Sequence, residues 1–343
     1  MKIRKKVSTI ILFLLTILII EICIIAQVQI LGNIKSQEHS VITNNVNRSK
    51  YLINNSVEDL DTICGDWAPW DDTLEFIKTN NSRYIESNLN DNTFSSLKIN
   101  TFIILDVNNK IRYANFYDME NKKSIDMPQE LLNYIKSNKE IMFKNKNVHS
   151  SVSGIISVNE KPMMISARPI TDSEFESPAS GTVLIGKYID NNLINGITKI
   201  TDSKIKIEKI SEAKVLNREI TVNNGKIRFT NVDSTIVQPI DKNQVAAYSI
   251  IKGVDGDPIF ILKLESKRTI YNQGRKSVIF LILIIILFSS IILALCTILL
   301  KIFVIRPIED ISNEVNKINL TDSNISRIRV KGKDEISSLG IEI

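Results

Sequence analysis

The stretch Asp66-Trp67-Ala68-Pro69-Trp70-Asp71-Asp72-Thr73 interrupts a helical pattern with a proline and with the chain's two tryptophans. Proline fits the first turn of a helix and clashes further in, and acidic residues suit the positive N-terminal end, so one helix ends here and another begins. Upstream, Ile53, Val57, Leu60 and Cys64 recur at steps of four, three and four, which is one helical face, and Gly65 predicts the C-terminal stop. Downstream, Phe76 and Ile77 fall on the second helix.

Further upstream the chain is apolar almost throughout residues 7–31, and a second apolar run fills 277–300 with no charge between Val278 and Leu300. A hydrocarbon core of about 30 Å needs roughly 20 helical residues, so both runs are long enough to span a bilayer. The first exceeds the ~7–15 residues of a signal-peptide core and is followed by no small-x-small site, which predicts an uncleaved anchor. Glu21 within it is expected to snorkel toward the headgroups. Lys2, Arg4, Lys5 and Lys6 put residues 1–6 in the cytoplasm, which makes 32–276 extracytoplasmic and returns 301–343 to the cytoplasm. The protein is thus expected to be a two-pass protein of the cell membrane. Lys and Arg number 43 against 38 Asp and Glu, a net charge of +5 spread along the chain, so no nucleic-acid patch is expected. The balance of 43% hydrophobic and 24% charged residues excludes intrinsic disorder.

Between the spans, Thr101–Asp106 and Ile111–Phe116 are β-rich runs separated by the turn-forming Val107-Asn108-Asn109-Lys110. Further strands are predicted at Gly154–Val158, Pro162–Pro169 and Gly181–Tyr188, with a helix over Pro128–Ser137. A second, smaller set follows at Lys204–Ile210, Glu219–Val222, Lys226–Thr230, Val245–Ile251 and Pro258–Leu264. Strands in antiparallel order with helices to one side describe an α+β layer. Two stacked modules are expected, at about 32–200 and 201–264, on a long N-terminal helix.

The segment Asp66–Thr73, followed by Phe76, Asn88-Leu89, Thr93-Phe94 and the strand Phe102–Asp106, resembles the fourth class of CHASE extracellular sensory domains. Gly256-Asp257-Pro258, Lys267-Arg268 and Gly274 are also similar to that family, and the likeness covers most of Asn45–Gly274. The resemblance implies the input module of a bacterial or archaeal receptor for an unknown small-molecule ligand, and by analogy with other sensors the two modules are PAS-like or Cache-like.

Past the second span, Ile308, Ile311, Val315 and Ile318 follow Pro307 at steps of three, four and three, the seam of a coiled coil. Asp334-Glu335 then suits a second helix start, with Ile336, Leu339 and Ile343 on one face. Residues 301–343 resemble a HAMP signal-relay domain, although Thr321-Asp322-Ser323 replaces the usual glycine-containing connector start. The resemblance implies a parallel homodimer, with Pro307 and these heptad residues as the relay. The second helix stops after about two turns, so the HAMP domain reads as truncated and no output enzyme lies within the chain. The alternatives are the input half of a diguanylate cyclase, phosphodiesterase or histidine kinase, a chemotaxis transducer, or a short subunit that pairs with a longer homologous receptor.

Asp66, Trp67, Trp70 and Asp71 are the candidate ligand contacts, since two indoles and nearby carboxylates could form a recess for a cationic ligand. The competing reading is that the indoles pack the core and the carboxylates cap helix ends. Two histidines and three cysteines without close spacing make a metal site improbable, no cofactor is implied, and no catalytic constellation stands out. Cys64 is expected to be a small buried hydrophobe.

Overall fold

The computed structural model describes residues 3–138, 147–210, 213–216, 219–222 and 227–318. It divides into two compact units, Glu38–Arg268 and a unit that joins the stretches before and after it.

Within the second of these, α1 (Ile3–Trp67) and α7 (Thr269–Leu300) are the two helices long and apolar enough to cross a membrane. Gly274 of α7 lies against Ile34 of α1, where an added Cβ would sit 2.3 Å from Ile34 Cδ1. A π-helical turn, Lys301–Ile305, follows α7, and α8 (Arg306–Ile318) continues from it. Pro307 explains the widened turn, because it offers no N–H and its ring crowds the carbonyl four residues back. The backbone of Val315 and Ile318 is helical, while Asp334, Glu335 and Ile336 lie outside the described residues.

In the unit Glu38–Arg268, the last part of α1 is followed by α2 (Asp71–Thr79), α3 (Ser82–Asn88) and α4 (Asp91–Leu97). The break expected at Pro69 is present, but the helix does not stop at Gly65. It runs on to Trp67, because proline disfavours a helical conformation only for the residue before it, here Ala68. Gly65 lies inside the helix and lets the Arg168 guanidinium come to 3.4 Å of where its Cβ would be.

A six-stranded antiparallel sheet follows, in the order β3-β2-β1-β6-β5-β4. Its strands are β1 (Thr101–Asp106), β2 (Ile111–Asp118), β3 (Lys123–Ile125), β4 (Val152–Val158), β5 (Lys161–Pro169) and β6 (Gly181–Tyr188). Alternate residues supply two cores. Phe102, Ile104, Met164, Val183 and Ile185 join Ile53, Val57, Leu60 and Cys64 of α1. Ile103, Leu105, Ile165 and Leu184 meet Leu131 and Ile135 of α5 (Gln129–Ser137) on the opposite face. Being covered on both faces, β1 is buried at every position. The β1–β2 turn is pinned by Asp106, whose carboxylate accepts bonds from the amides of Asn108 and Lys110, both at 2.9 Å.

The helix α6 (Asn191–Thr201) leads into a second antiparallel sheet, β11-β12-β13-β7. Its members are β7 (Lys204–Lys209), β11 (Thr235–Pro239), β12 (Gln244–Lys252) and β13 (Pro258–Lys267). Phe260, Leu262 and Leu264 face the core shared with α1, and Ile250 and Ile261 on the other face meet Ile227 and Phe229. The last two belong to β10 (Ile227–Phe229), which forms a three-stranded sheet with β9 (Glu219–Val222) and β8 (Ala213–Leu216).

Candidate functional site

The end of α1 and the start of α2 form an aromatic joint. Trp67 meets Trp70 edge-on, with centroids 5.5 Å apart and planes at 87°, and meets Phe102 of β1 at 5.4 Å and 73°. Tyr84 of α3 lies 6.0 Å from Trp70 and stacks on Phe76 at 5.0 Å. Such contacts favour offset and edge-to-face geometry, so the rings fix the angle at which α1 hands over to α2. Thr73 locks the corner. Its hydroxyl lies 2.7 Å from the Tyr84 hydroxyl and donates to the Trp67 carbonyl at 2.9 Å. Burial pushes the Tyr84 phenol up to about 12, so it stays neutral and, with the Thr73 proton given to the Trp67 carbonyl, donates to the Thr73 oxygen.

The structure brings the two indoles together, both half-buried against the core. The two carboxylates are exposed. Asp71 accepts a bond from the Ser173 amide at 3.1 Å, tying α2 to the loop before β6, and Asp66 lies close enough to Arg168 to favour its charge.

Nearly two turns below the joint lies a polar network that the sequence pattern did not single out. Asp61 on the inner flank of α1 accepts Ser166 Oγ at 2.7 Å and Arg168 Nε at 3.0 Å, and its second oxygen accepts Arg168 Nη2 at 2.5 Å. Burial raises the Asp61 pKa, but the hydrogen bonds from Arg168 and Ser166 and the guanidinium charge outweigh it and leave the carboxyl below its usual range. Arg168 is correspondingly raised, chiefly by its bond to Asp61. Cys64 is fully buried beside the pair, its thiol facing the carbonyls of Val183 at 3.5 Å and Ser166 at 3.7 Å, and burial pushes its pKa up to about 12. The visible signal was an Asp three residues before a Cys on the apolar face, with Ser-x-Arg in a strand. Nothing in sequence spacing joins residues more than 100 positions apart.

A second fork, also unforeseen, closes the other end of this unit. Glu38 accepts Arg268 Nη2 at 2.8 Å and Nε at 3.1 Å, and both side chains are nearly buried. Among the described residues, no group of three or more His, Cys, Asp or Glu is placed to hold a metal ion.

Besides a cleft of about 400 Å³ lined by Tyr134, Ile155, Lys209 and Ile259, two larger clefts in this unit have ligand-sized volumes. One, of about 550 Å³, lies beside Phe116, Tyr188, Lys161 and Lys187. The other, of about 500 Å³, opens between α1, β4 and β12 and includes Lys50, Ile53, Ile155 and Lys252.

Residues 52–208, from within α1 into β7, match the CHASE4 domain. The match is narrower than the expected Asn45–Gly274 and leaves out Gly256-Asp257-Pro258. The chain is 24% identical over 318 residues to the methanogenesis regulatory histidine kinase FilI of Methanothrix harundinacea (strain 6Ac), covering 91% of this chain. It spans about a third of that kinase's length, 34%. Among solved structures, it resembles the extracellular domain of the putative histidine kinase vpHK1S-Z8 at 13% identity and a TM-score of 0.46, over 72% of this chain and 95% of that one. It also resembles the ligand-binding domain of the Campylobacter jejuni chemoreceptor Tlp3, at 12% identity and a TM-score of 0.39, over 71% and 97% of the two chains. Residues 52–208 thus resemble a CHASE4 domain, and apolar helices long enough to cross a membrane lie before and after them.

Proposed function

We propose that this chain is the input portion of a transmembrane receptor, in which the α+β segment outside the cell binds a small ligand and shifts the helices that enter the membrane. The observation that carries this reading is continuity. The helix α1 is unbroken from its apolar stretch to Trp67 in the sensor core, and Arg268 alone separates β13 from α7. Motion at the sensor therefore has no slack linker to absorb it. Relay continues through Pro307, Ile308, Ile311, Val315 and Ile318 as the first HAMP helix of a parallel homodimer, with Asp334, Glu335 and Ile336 as the further relay residues. For coupling to exist, the ligand must favour one helix arrangement over the other. Output through a histidine kinase is the favoured continuation, since the relative that spans most of this chain is one; a cyclase, a phosphodiesterase, a chemotaxis transducer or a longer receptor partner would use the same input.

Disulfide crosslinking of Cys placed at Ile308 and at Ile311, in membranes and with Cys23 and Cys296 changed to Ser, tests the reading. A dimer band at both positions whose yield changes with some extracytoplasmic compound is the expected result. Monomer alone at both positions sinks the dimeric relay.

Asp66, Trp67, Trp70 and Asp71 remain the proposed contact for a cationic ligand, favoured by two half-exposed indoles beside two exposed carboxylates. Because the chain has only these two tryptophans, tetramethylammonium should change its indole fluorescence, and Asp71→Asn should weaken that change severalfold. Fluorescence that is flat across the titration removes the cation reading.

A further inference from the structure

We propose that the cleft between α1, the edge strand β4 and the end of β12 binds a small carboxylate with a short apolar tail, its head held between Lys50 and Lys252. This rests on the reading of Glu38–Arg268 as a ligand sensor and gives it a second site, for a ligand class distinct from the cation proposed at Trp67 and Trp70. The cleft's volume of about 500 Å³ lies within the range of roughly 300–1,000 Å³ common to small-molecule sites. Ile53 and Val57 from α1, Ile155 from β4 and Ile251 from β12 form an aliphatic strip, and Asn54, Glu58, Ser153 and Asp233 complete the lining.

The two lysines sit toward one end. Lys50 is half-buried, with its ammonium 3.4 Å from Ser249 Oγ, a long bond to a neutral group. Burial lowers its pKa, and Asp233 opposes this only in part. Lys252 pairs with Asp233 at 2.8 Å, but these side chains are 42% and 74% exposed, and an ion pair so open to water is worth little. Asp233 can therefore swing aside. An incoming carboxylate would give Lys50 a charge-assisted bond that its present neighbour does not, and would keep Lys252 paired. Glu58 lies two helical turns along α1, roughly 12 Å from Lys50 at 1.5 Å per residue, so it repels a second anionic group and favours a single head with an apolar tail.

The position suits a sensor. Beside the cleft, the Val254 amide donates to the Ile155 carbonyl at 3.1 Å, docking the β12–β13 turn on β4. Gly154 permits the contact, since a Cβ there would come within 2.8 Å of Val254 Cγ2. A ligand wedged against α1, β4 and β12 bears on the joint between the two sheets.

The test is calorimetry on the full chain in nanodiscs with the sodium salts of acetate, butyrate and hexanoate, against inorganic phosphate and sodium chloride at equal ionic strength. Affinity is expected to rise by about fourfold per added methylene while the tail fills the aliphatic strip. Lys50→Met should weaken hexanoate binding at least tenfold and Lys50→Arg much less, with melting temperatures showing that both variants fold. Absence of binding by all three acids, hexanoate binding unchanged by Lys50→Met and Lys252→Met, or phosphate binding as tightly as hexanoate would each overturn the site. If another compound alters crosslinking at Ile308 and Ile311 while hexanoate is inert, this site fails and the receptor reading stands. If hexanoate binds through Lys50 and crosslinking never responds to it, the site stands and the receptor reading loses support.

Discussion

At the scale of single residues, Asp61 decides how firmly the sensor helix is seated. It accepts bonds from both Arg168 and Ser166, and the side chains of Asp61 and Arg168 are only 17% and 27% exposed. Removing the acid leaves a half-buried guanidinium without its main partner, so Asp61→Asn should cost about 2–3 kcal/mol in chemical denaturation, whereas Asp59→Asn on the exposed side of α1 should cost little. A loss below about 0.5 kcal/mol would mean that water replaces the acid freely. The pH dependence follows from the depressed Asp61 pKa: its contribution is fully present above the unfolded carboxyl value, near 3.9, and is lost as pH falls through the lower folded value. Stability from this group should therefore be flat from pH 8 to 5 and fall below about 4 in the parent but not in Asp61→Asn. Beside it, Cys64 was legible as a buried small hydrophobe from its place on the apolar face, and the structure agrees. With its thiol pushed up to about 12, Cys64 should resist maleimide at neutral pH in a Cys23→Ser, Cys296→Ser background and react once denatured. Prompt native labelling would contradict its burial.

At the scale of elements, patterning foretold the strands that build the two-sided cores and missed the exposed or half-buried β3 and β11. The strand β6 is predicted and found at Gly181–Tyr188, and the β1–β2 turn lies where Asn108 and Asn109 put it. The three-residue β3 is exposed at every position and has no apolar period to detect, and β11 is only half-buried. The helices α3 and α4, each seven residues long, each bury one large ring, Tyr84 and Phe94, too little to show as periodicity. Their starts are signalled by Asn81 and Asn90 as caps, and that of α6 by Asp190, whose carboxylate accepts the Leu193 amide at 2.8 Å. Asp190→Ala should destabilise the protein by about 1 kcal/mol, read as a lower denaturation midpoint with an unchanged slope. A changed slope would mean that α6 unfolds separately from the rest.

At the scale of the whole sensor, α1 is fastened by two carboxylate–guanidinium forks, Glu38 to Arg268 and Asp61 to Arg168. They stand 23 residues apart, so about 35 Å of helix is held in register with the two sheets. Neither fork could be read from sequence, since their partners are separated by 230 and 107 positions. The Glu38 fork is the more buried of the two, at 9% and 10% exposure, and it lies where the chain enters and leaves this unit. A buried pair of this kind is costly to break by removing one partner and much less costly to replace as a whole. Glu38→Gln and Arg268→Met should each destabilise the sensor by roughly 3 kcal/mol, and the double variant should lose well under their sum, giving a coupling of about 1–3 kcal/mol in a double-mutant cycle. If the fork also keeps α1 and the end of β13 moving together, amide exchange over residues 38–46 and 262–268 should quicken in the Arg268→Met variant while the strands β1, β5 and β6 stay protected. Strictly additive losses would show that the two charges act independently, and faster exchange throughout the six-stranded sheet would show that the fork supports the whole fold and is no local tie between incoming helix and outgoing strand.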